Sequence, residues 1–197
     1  MLNLLQVLIN ANVYTKGVFF IRKVFGLMAF IATGGGLILS TAINEDSLYK
    51  TEILMIIGVF FVISLIDHYK NLKLDESKKK IDKWSFYFLI CSLIGVSLTW
   101  YINHKMGYGP VIANGLVGVM AAIFLTNDLA GITYTSSFIG MSSLAIIPTI
   151  TTAILASFIL WFVFLFTGEI YSGIGGKGGT TAALSTIVTI IIMNFFS

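Results

Sequence analysis

The sequence is poor in charge, and it contains few of the residues that most kinds of chemistry require. Only 11% of its 197 residues are Asp, Glu, Lys or Arg, whereas a soluble domain carries roughly 25%. The single cysteine, Cys91, excludes a disulfide within the chain and does not reveal the compartment. An ordinary water-soluble fold is excluded, because a chain of this size could not bury the apolar surface of a sequence that is 57% hydrophobic.

Catalytic and metal-binding patterns are also missing. The two histidines, His68 and His104, lie in separate polar links, and the sequence has no H-E-x-x-H motif, cysteine pair or carboxylate cluster. No recognisable set of nucleophile, base and orienting residue is present. We therefore expect no catalytic residue, no metal site and no cofactor, and we do not expect the protein to be an enzyme.

What the sequence has in abundance is long hydrophobic runs, since 57% of its residues are hydrophobic. Such runs are typical of helices that cross a hydrocarbon core about 30 Å thick. Trp84 and Trp100 would lie about 24 Å apart along one helix, which predicts one indole at each membrane interface. We predict an all-α, polytopic transmembrane bundle in which residues 1–197 form one integral membrane domain. The candidate spans are 24–43, 53–66, 84–102, 110–126, 149–166 and 180–196.

The first 17 residues allow two interpretations. Met1, Leu4, Leu5 and Leu8 recur at helical spacing, and polar residues lie between them. This pattern is typical of a short helix on the membrane surface. The alternative is that residues 1–17 are the frayed start of the first spanning helix.

Residues 129–166 carry no charge and are too long for one span. As a single helix they would reach roughly 57 Å, so the chain must turn within them. We predict a broken or re-entrant element near residues 131–148, because its first half is rich in hydroxyls and glycine and Pro148 follows. If the element returns to the side it came from, the chain has six spans; if it crosses, the chain has seven. We favour six, because polar backbone suits a position buried in protein.

Basic residues predict the orientation. The link 67–83 contains six lysines, among them Lys78, Lys79 and Lys80. The positive-inside rule places this link and the N-terminus in the cytoplasm, and frequent Ile, Lys and Asn suggest a bacterial cytoplasmic membrane. The lysines either fix topology at the lipid bilayer or dock a soluble cytoplasmic partner. No direct nucleic-acid binding is expected, because aromatic residues do not interleave with the basic ones.

The glycine-rich segment 173–180 resembles a phosphate-binding loop but does not match that motif. Walker A requires Ser or Thr after the lysine, whereas Lys177 is followed by Gly178. A glycine-rich turn before a helix still exposes backbone N–H groups, and with Lys177 these could hold an anion or a carboxylate. The alternative is a flexible loop without a ligand.

Polar residues within the predicted spans, or at the ends of these spans, form a candidate ion or solute path. Each hydroxyl could instead bond its own helix or a neighbouring one, and the acidic residues could lie at the interface. Small residues in the fourth span predict close helix packing and a homo-oligomer. The path candidates are Asn114, Asp128, Ser136, Ser137, Ser142, Ser143, Glu169 and Lys177, and the packing candidates are Gly115, Gly118 and Ala122.

Two functions remain open from the sequence. We favour a membrane channel or transporter subunit for an ion or small polar solute, because broken helices commonly form transporter binding sites. The alternative is a membrane sensor or anchor that docks a soluble cytoplasmic protein within a multi-protein system, such as one for defence or signalling.

Overall fold

A computed structural model describes residues 2–44, 47–71, 83–168, 170–171 and 174–196. These residues form α-helices joined by turns and contain no strand, which confirms the helical prediction. The chain divides into two compact units, Met1–Asp75 and Glu76–Ser197, and each is described by itself. The helices are α1 (Leu2–Ile43), α2 (Leu48–Asn71), α3 (Lys83–His104), α4 (Pro110–Phe124), α5 (Asn127–Gly140), α6 (Ile150–Thr167) and α7 (Lys177–Phe196).

Five of the described helices are long and apolar enough to cross a membrane, where the sequence favoured six spans. These are α1, α2, α3, α6 and α7. The difference lies in α4, predicted as the span 110–126, which has 15 residues and reaches only about 22 Å. Helix α5, which falls in the predicted broken element, has 14 residues and reaches about 21 Å. Helix α1 is continuous from Leu2, so residues 2–17 belong to the same helix as the first span.

The first unit is an antiparallel pair of helices. Phe30 of α1 stacks on Phe61 of α2 with ring centroids 5.6 Å apart, and the Lys23 Nζ donates to the Tyr69 carbonyl oxygen at 3.3 Å. If Gly34 were replaced by a residue with a side chain, its Cβ would lie 2.9 Å from the Phe61 ring. A glycine of the Gly34–Gly36 run thus permits the close approach of the second helix, as expected for small residues in membrane helices.

The second unit is built around α3, which packs in parallel with α5. A Cβ added at Gly95 would lie 2.5 Å from the Thr133 carbonyl oxygen. A Cβ added at Gly140 would lie 2.6 Å from the Val96 carbonyl oxygen. Both glycines therefore let the two helix backbones approach closely. The adjoining core contains Val96, Trp100, Ile139, Ile147, Ala153, Ala156, Leu160 and Ala182.

Helices α4 and α5 form an antiparallel hairpin joined by Leu125 and Thr126. Pro110 begins α4 at a position where its missing N–H costs nothing. At the far end, the Asn103 Nδ2 donates to the Gly140 carbonyl oxygen at 3.3 Å, so the hairpin starts and ends beside the His104 end of α3. The contact between Gly95 and Ser136 places the hairpin turn about one helical turn short of the Lys83 end of α3.

The predicted break lies at residues 141–149, between α5 and α6. Residues 131–140 are helical, so the chain does not turn within them. The element that starts and ends at one end of α3 is the α4–α5 hairpin. Pro148 ends the break, and the Thr149 side chain caps α6 by accepting from the Thr152 N–H at 3.1 Å.

Helix α6 runs antiparallel to α3. The Ser92 hydroxyl donates to the Ser157 carbonyl oxygen at 2.9 Å. The Trp161 indole N–H donates to the Ser85 carbonyl oxygen at 2.7 Å. Trp100 is buried, and its indole donates to the Ile147 carbonyl oxygen at 3.0 Å. Trp100 therefore fixes the 141–149 segment from within the protein and does not form a lipid-facing belt; the Trp84 side chain lies outside the described part.

Candidate functional site

The structure brings Asn114 and Ser137 together inside the α4–α5 hairpin. Both side chains are buried, and the Ser137 hydroxyl donates to the Asn114 side-chain oxygen. The same hydroxyl lies 2.7 Å from the Tyr134 carbonyl oxygen, which competes for its one proton. This contact joins the two arms of the hairpin.

The other serines among the path candidates are held by local bonds or lie at the surface. The Ser136 hydroxyl donates to the Thr133 carbonyl oxygen at 2.8 Å and is fully buried against Gly95. The Ser142 carbonyl oxygen accepts from the His104 Nε2 at 2.9 Å, and Ser143 is exposed in the turn. Their bonds within the fold account for the burial of Ser136 and the position of Ser142.

The first turn of α7 lies against the middle of α5. A Cβ at Gly178 would be 2.8 Å from the Thr135 Oγ1, and Thr135 is near the centre of α5. The next residue, Ser136, contacts Gly95, which is near the centre of α3. Helix α7 therefore begins beside the middle of α5, at the level of the middle of α3.

The segment between α6 and α7 is anchored by two buried side chains. Ile170 and Tyr171 are each 1% exposed, and burial raises the pKa of Tyr171 to about 12. The phenol therefore stays neutral at physiological pH. Gly176 then adopts a φ of 75°, in the left-handed region that favours glycine, and turns the chain into α7.

The remaining candidates do not gather at one point. Asp128 is exposed in the first turn of α5, and Lys177 is exposed as the first residue of α7. Gly118 faces the Tyr134 ring, where a Cβ would come within 2.7 Å, while Gly115 and Ala122 are exposed on α4. Glu169, Lys78, Lys79 and Lys80 lie outside the described residues. Within the described ranges, no three His, Cys, Asp or Glu side chains group as metal ligands.

The sequence-based list did not include Thr135 and Thr99. Both are buried. In the part of the chain that the structure describes, the Thr99 hydroxyl is buried without a hydrogen-bond partner, and the Thr135 hydroxyl packs against Gly178. Thr133, Thr135, Ser136 and Ser137 have hydroxyls of similar appearance in the sequence, so only helix packing shows that Thr135 is the one that faces α7. The glycine-rich segment predicted that a helix begins near Lys177, but it does not predict which helix α7 packs against.

These features define a polytopic helical membrane protein. Comparison of the chain with protein-family models, with curated proteins and with solved structures finds no match. The function is therefore argued from the geometry of the second unit.

Proposed function

We propose that the protein is a channel or transporter subunit that moves an ion or small polar solute and catalyses no covalent reaction. The observation that supports this proposal is the start of α7 beside the middle of α5. A helix that begins at membrane depth presents unpaired backbone groups there, and interrupted helices of this kind commonly form transporter binding sites.

The α4–α5 hairpin supports the same function. Its arms are shorter than the hydrocarbon core, and its turn lies short of the Lys83 end of α3. Non-helical backbone at such a depth is tolerated where it is buried in protein or lines a water-filled cavity. The hairpin turn and the glycine-rich turn before α7 therefore supply two such backbone segments within one unit.

The test is a flux measurement on the full chain in liposomes. Vesicles with and without protein would be compared for flux of K⁺, H⁺, chloride, acetate and glycine, using a solute-specific probe for each. Flux of at least one solute above the protein-free level is expected. Correctly folded protein that moves none of these solutes would overturn the proposal.

Two glycine variants make the flux test specific to the interrupted helix. Gly178→Leu fills the contact between α7 and Thr135, whereas Gly175→Leu adds its side chain where no atom lies within 4 Å. The first change should reduce flux at equal amounts of folded protein, and the second should leave most of it. Equal flux from both variants would show that transport does not depend on the contact between the start of α7 and Thr135.

The proposed assembly is a homo-oligomer in a bacterial cytoplasmic membrane with a cytoplasmic N-terminus. Exposed Gly115 and Ala122 give α4 a surface that a second copy can approach closely. The orientation rests on the lysines of residues 67–83. If the protein is instead an anchor for a soluble partner, Lys78, Lys79 and Lys80 would dock it, and replacing all three with Gln would abolish that docking.

A further inference from the structure

Two neighbouring side chains at the end of α3 contact carbonyl groups at the end of α5. The Asn103 Nδ2 donates to the Gly140 carbonyl oxygen at 3.3 Å, and the His104 Nε2 lies 2.9 Å from the Ser142 carbonyl oxygen. The Asn103 Nδ2 is also 3.1 Å from the same His104 nitrogen. Because a carbonyl oxygen can only accept, Nε2 carries a proton that it donates to Ser142. The His104 ring therefore ties the start of the 141–149 segment to α3.

Trp100 holds the other end of the same segment. Its indole N–H donates to the Ile147 carbonyl oxygen at 3.0 Å, and Ile147 is fully buried in the core that also contains Ala182 of α7. One helical turn further along α3, the His104 ring packs against the Trp100 ring with centroids 5.2 Å apart. The indole therefore positions the imidazole that binds Ser142.

The ends of two helices meet at His104. His104 is the last residue of α3, and α5, which runs parallel to α3, ends beside it at Gly140. The C-terminus of a helix carries a partial negative charge of about half an elementary charge, and a protonated histidine there is stabilised. The effect is largest where the side chain is partly buried, as His104 is. Both helix ends therefore favour a positive charge on the imidazole.

Few other charged groups lie at this end of the unit. The 141–149 segment, most of α5 and all of α6 fall within residues 129–166, which carry no charge. Helix α4 has no charged residue, and the one in α7, Lys177, lies beside the middle of α5. The other titratable side chains near His104 in the described part of the unit are exposed and are Tyr101, Lys105 and Tyr108. Since histidine is the side chain that ordinarily changes charge between about pH 5 and 8, His104 is the group at this end that responds to pH.

We propose that His104 and the Ser142 carbonyl form a proton-sensitive latch, which holds the 141–149 segment against α3 more tightly when the imidazole is charged. The Nε2–H donates to Ser142 in the neutral and in the charged form, and the added proton binds Nδ1. A hydrogen bond from a charged donor is roughly twice as strong as one from a neutral donor. Proton uptake at low pH therefore tightens the latch, and proton loss at high pH weakens it without breaking the hydrogen bond.

The latch controls how often the end of the second unit opens. Because Ile147 belongs to the same buried core as Ala182, opening of the 141–149 segment also loosens the packing around α7. Local opening of this kind is measured by amide hydrogen exchange. The inference stands on the contacts at the end of α3 and does not depend on the proposed transport function.

The test is hydrogen exchange of the detergent-solubilised full chain at about pH 5 and about pH 8. Each rate is divided by the rate of an unfolded chain at the same pH, which gives a protection factor. The reporting amides bond to carbonyls at or next to the segment and are those of Ser142, Ile146 and Ile147. Their protection should be about 5-fold higher at the lower pH, as expected when a neutral donor becomes a charged one. Protection within α6 should not change.

The two histidines of the chain provide matched variants. His104→Gln keeps a side-chain N–H donor but cannot become charged, so protection of the segment should be equal at both pH values. His68→Gln, in the last turn of α2, should keep the wild-type pH dependence. In His68→Gln the only imidazole is that of His104, so its ¹⁵N signals should report proton uptake over the pH range in which protection rises.

Three results would overturn the latch. The first is equal protection of the segment at both pH values in the wild type, which needs no variant. The second is a pH dependence that persists in His104→Gln or is lost in His68→Gln. The third is a ¹⁵N spectrum in which the His104 charge changes outside the pH range of the change in protection.

Discussion

Ser136 of α5 lies directly on Gly95 of α3, where the two parallel helices are in close contact. A Cβ at Gly95 would meet the Ser136 side chain and would also lie 2.5 Å from the Thr133 carbonyl oxygen. A side chain can rotate away, but a carbonyl within a helix cannot move without shifting α5. This contact sets the spacing of α3 and α5 and, through Thr135, the place where α7 begins.

Gly95→Ala should therefore destabilise the second unit. Overpacking against backbone typically costs about 1–3 kcal/mol, which outweighs the roughly 1 kcal/mol gained in helix propensity. Gly131→Ala in α5 is the matched control, because no atom lies within 4 Å of its added Cβ. Thermal unfolding in detergent should show a loss for Gly95→Ala and no loss for Gly131→Ala. Equal stability of the two variants would contradict the close approach of α3 and α5.

The helical class could be predicted from the sequence because hydrophobic runs report directly on a lipid environment. A break within residues 129–166 was also predictable, since this uncharged run is too long for one span. Its position after Gly140 was not, because residues 131–140 were expected to be part of it and are helical. The number of spans could not be predicted, because α4 is as apolar as a span but has only 15 residues in the structure. Hydropathy does not distinguish a hairpin that turns early from a pair of full spans.

The candidate site could be predicted only in part. Lys177 and its glycines were visible in the sequence, because the glycine-rich turn precedes an apolar run. Thr135 contacts the start of α7 only because α7 packs against α5. No local sequence pattern predicts that packing. Conversely, Ser136 and Ser137 have the composition of a polar path, yet their hydroxyls bond within the hairpin.

The Trp100 indole should control the order of the 141–149 segment. Trp100→Phe removes the donor to the buried Ile147 carbonyl oxygen, at a cost of about 1–3 kcal/mol. Hydrogen exchange should then increase in residues 141–149. Trp161→Phe removes a similar bond to Ser85 and should leave exchange in that segment unchanged. Increased exchange in both variants would indicate general loosening of the unit.

Gly118 and Gly115 should respond differently to leucine. Gly118→Leu forces atoms into the Tyr134 ring, since even a Cβ would come within 2.7 Å, so the hairpin should lose stability. Gly115→Leu adds its side chain in open space and should alter only self-association. Unfolding temperature and size in detergent separate the two effects. A Gly115→Leu variant that keeps the wild-type oligomer would place the interface elsewhere.

Membrane orientation can be tested at the two ends of α2. In a Cys91→Ser background, Asp46→Cys should be labelled by an impermeant thiol reagent from outside intact cells. Lys78→Cys should be labelled only after the membrane is opened, because the lysine-rich link is expected in the cytoplasm. Labelling of both positions from one side would mean that α2 does not cross the membrane.

The contact between Asn114 and Ser137 should stabilise the hairpin without belonging to the solute path. Ser137→Ala leaves the buried Asn114 side-chain oxygen without its donor, which costs about 1–3 kcal/mol. Adding Asn114→Leu removes the unpaired group, and replacing both partners with apolar side chains can be nearly neutral. The double variant should therefore recover much of the stability lost in the single one, as measured in a double-mutant cycle.

Flux through the same double variant decides between packing and path. The Ser137 side chain is fully buried and its hydroxyl bonds within the hairpin, so neither residue needs to contact a passing solute. Flux per folded molecule should be close to wild type once stability has recovered. A double variant that is stable yet inactive would show that the amide and hydroxyl line the path. In that case the route runs between the arms of the α4–α5 hairpin and not along the first turn of α7.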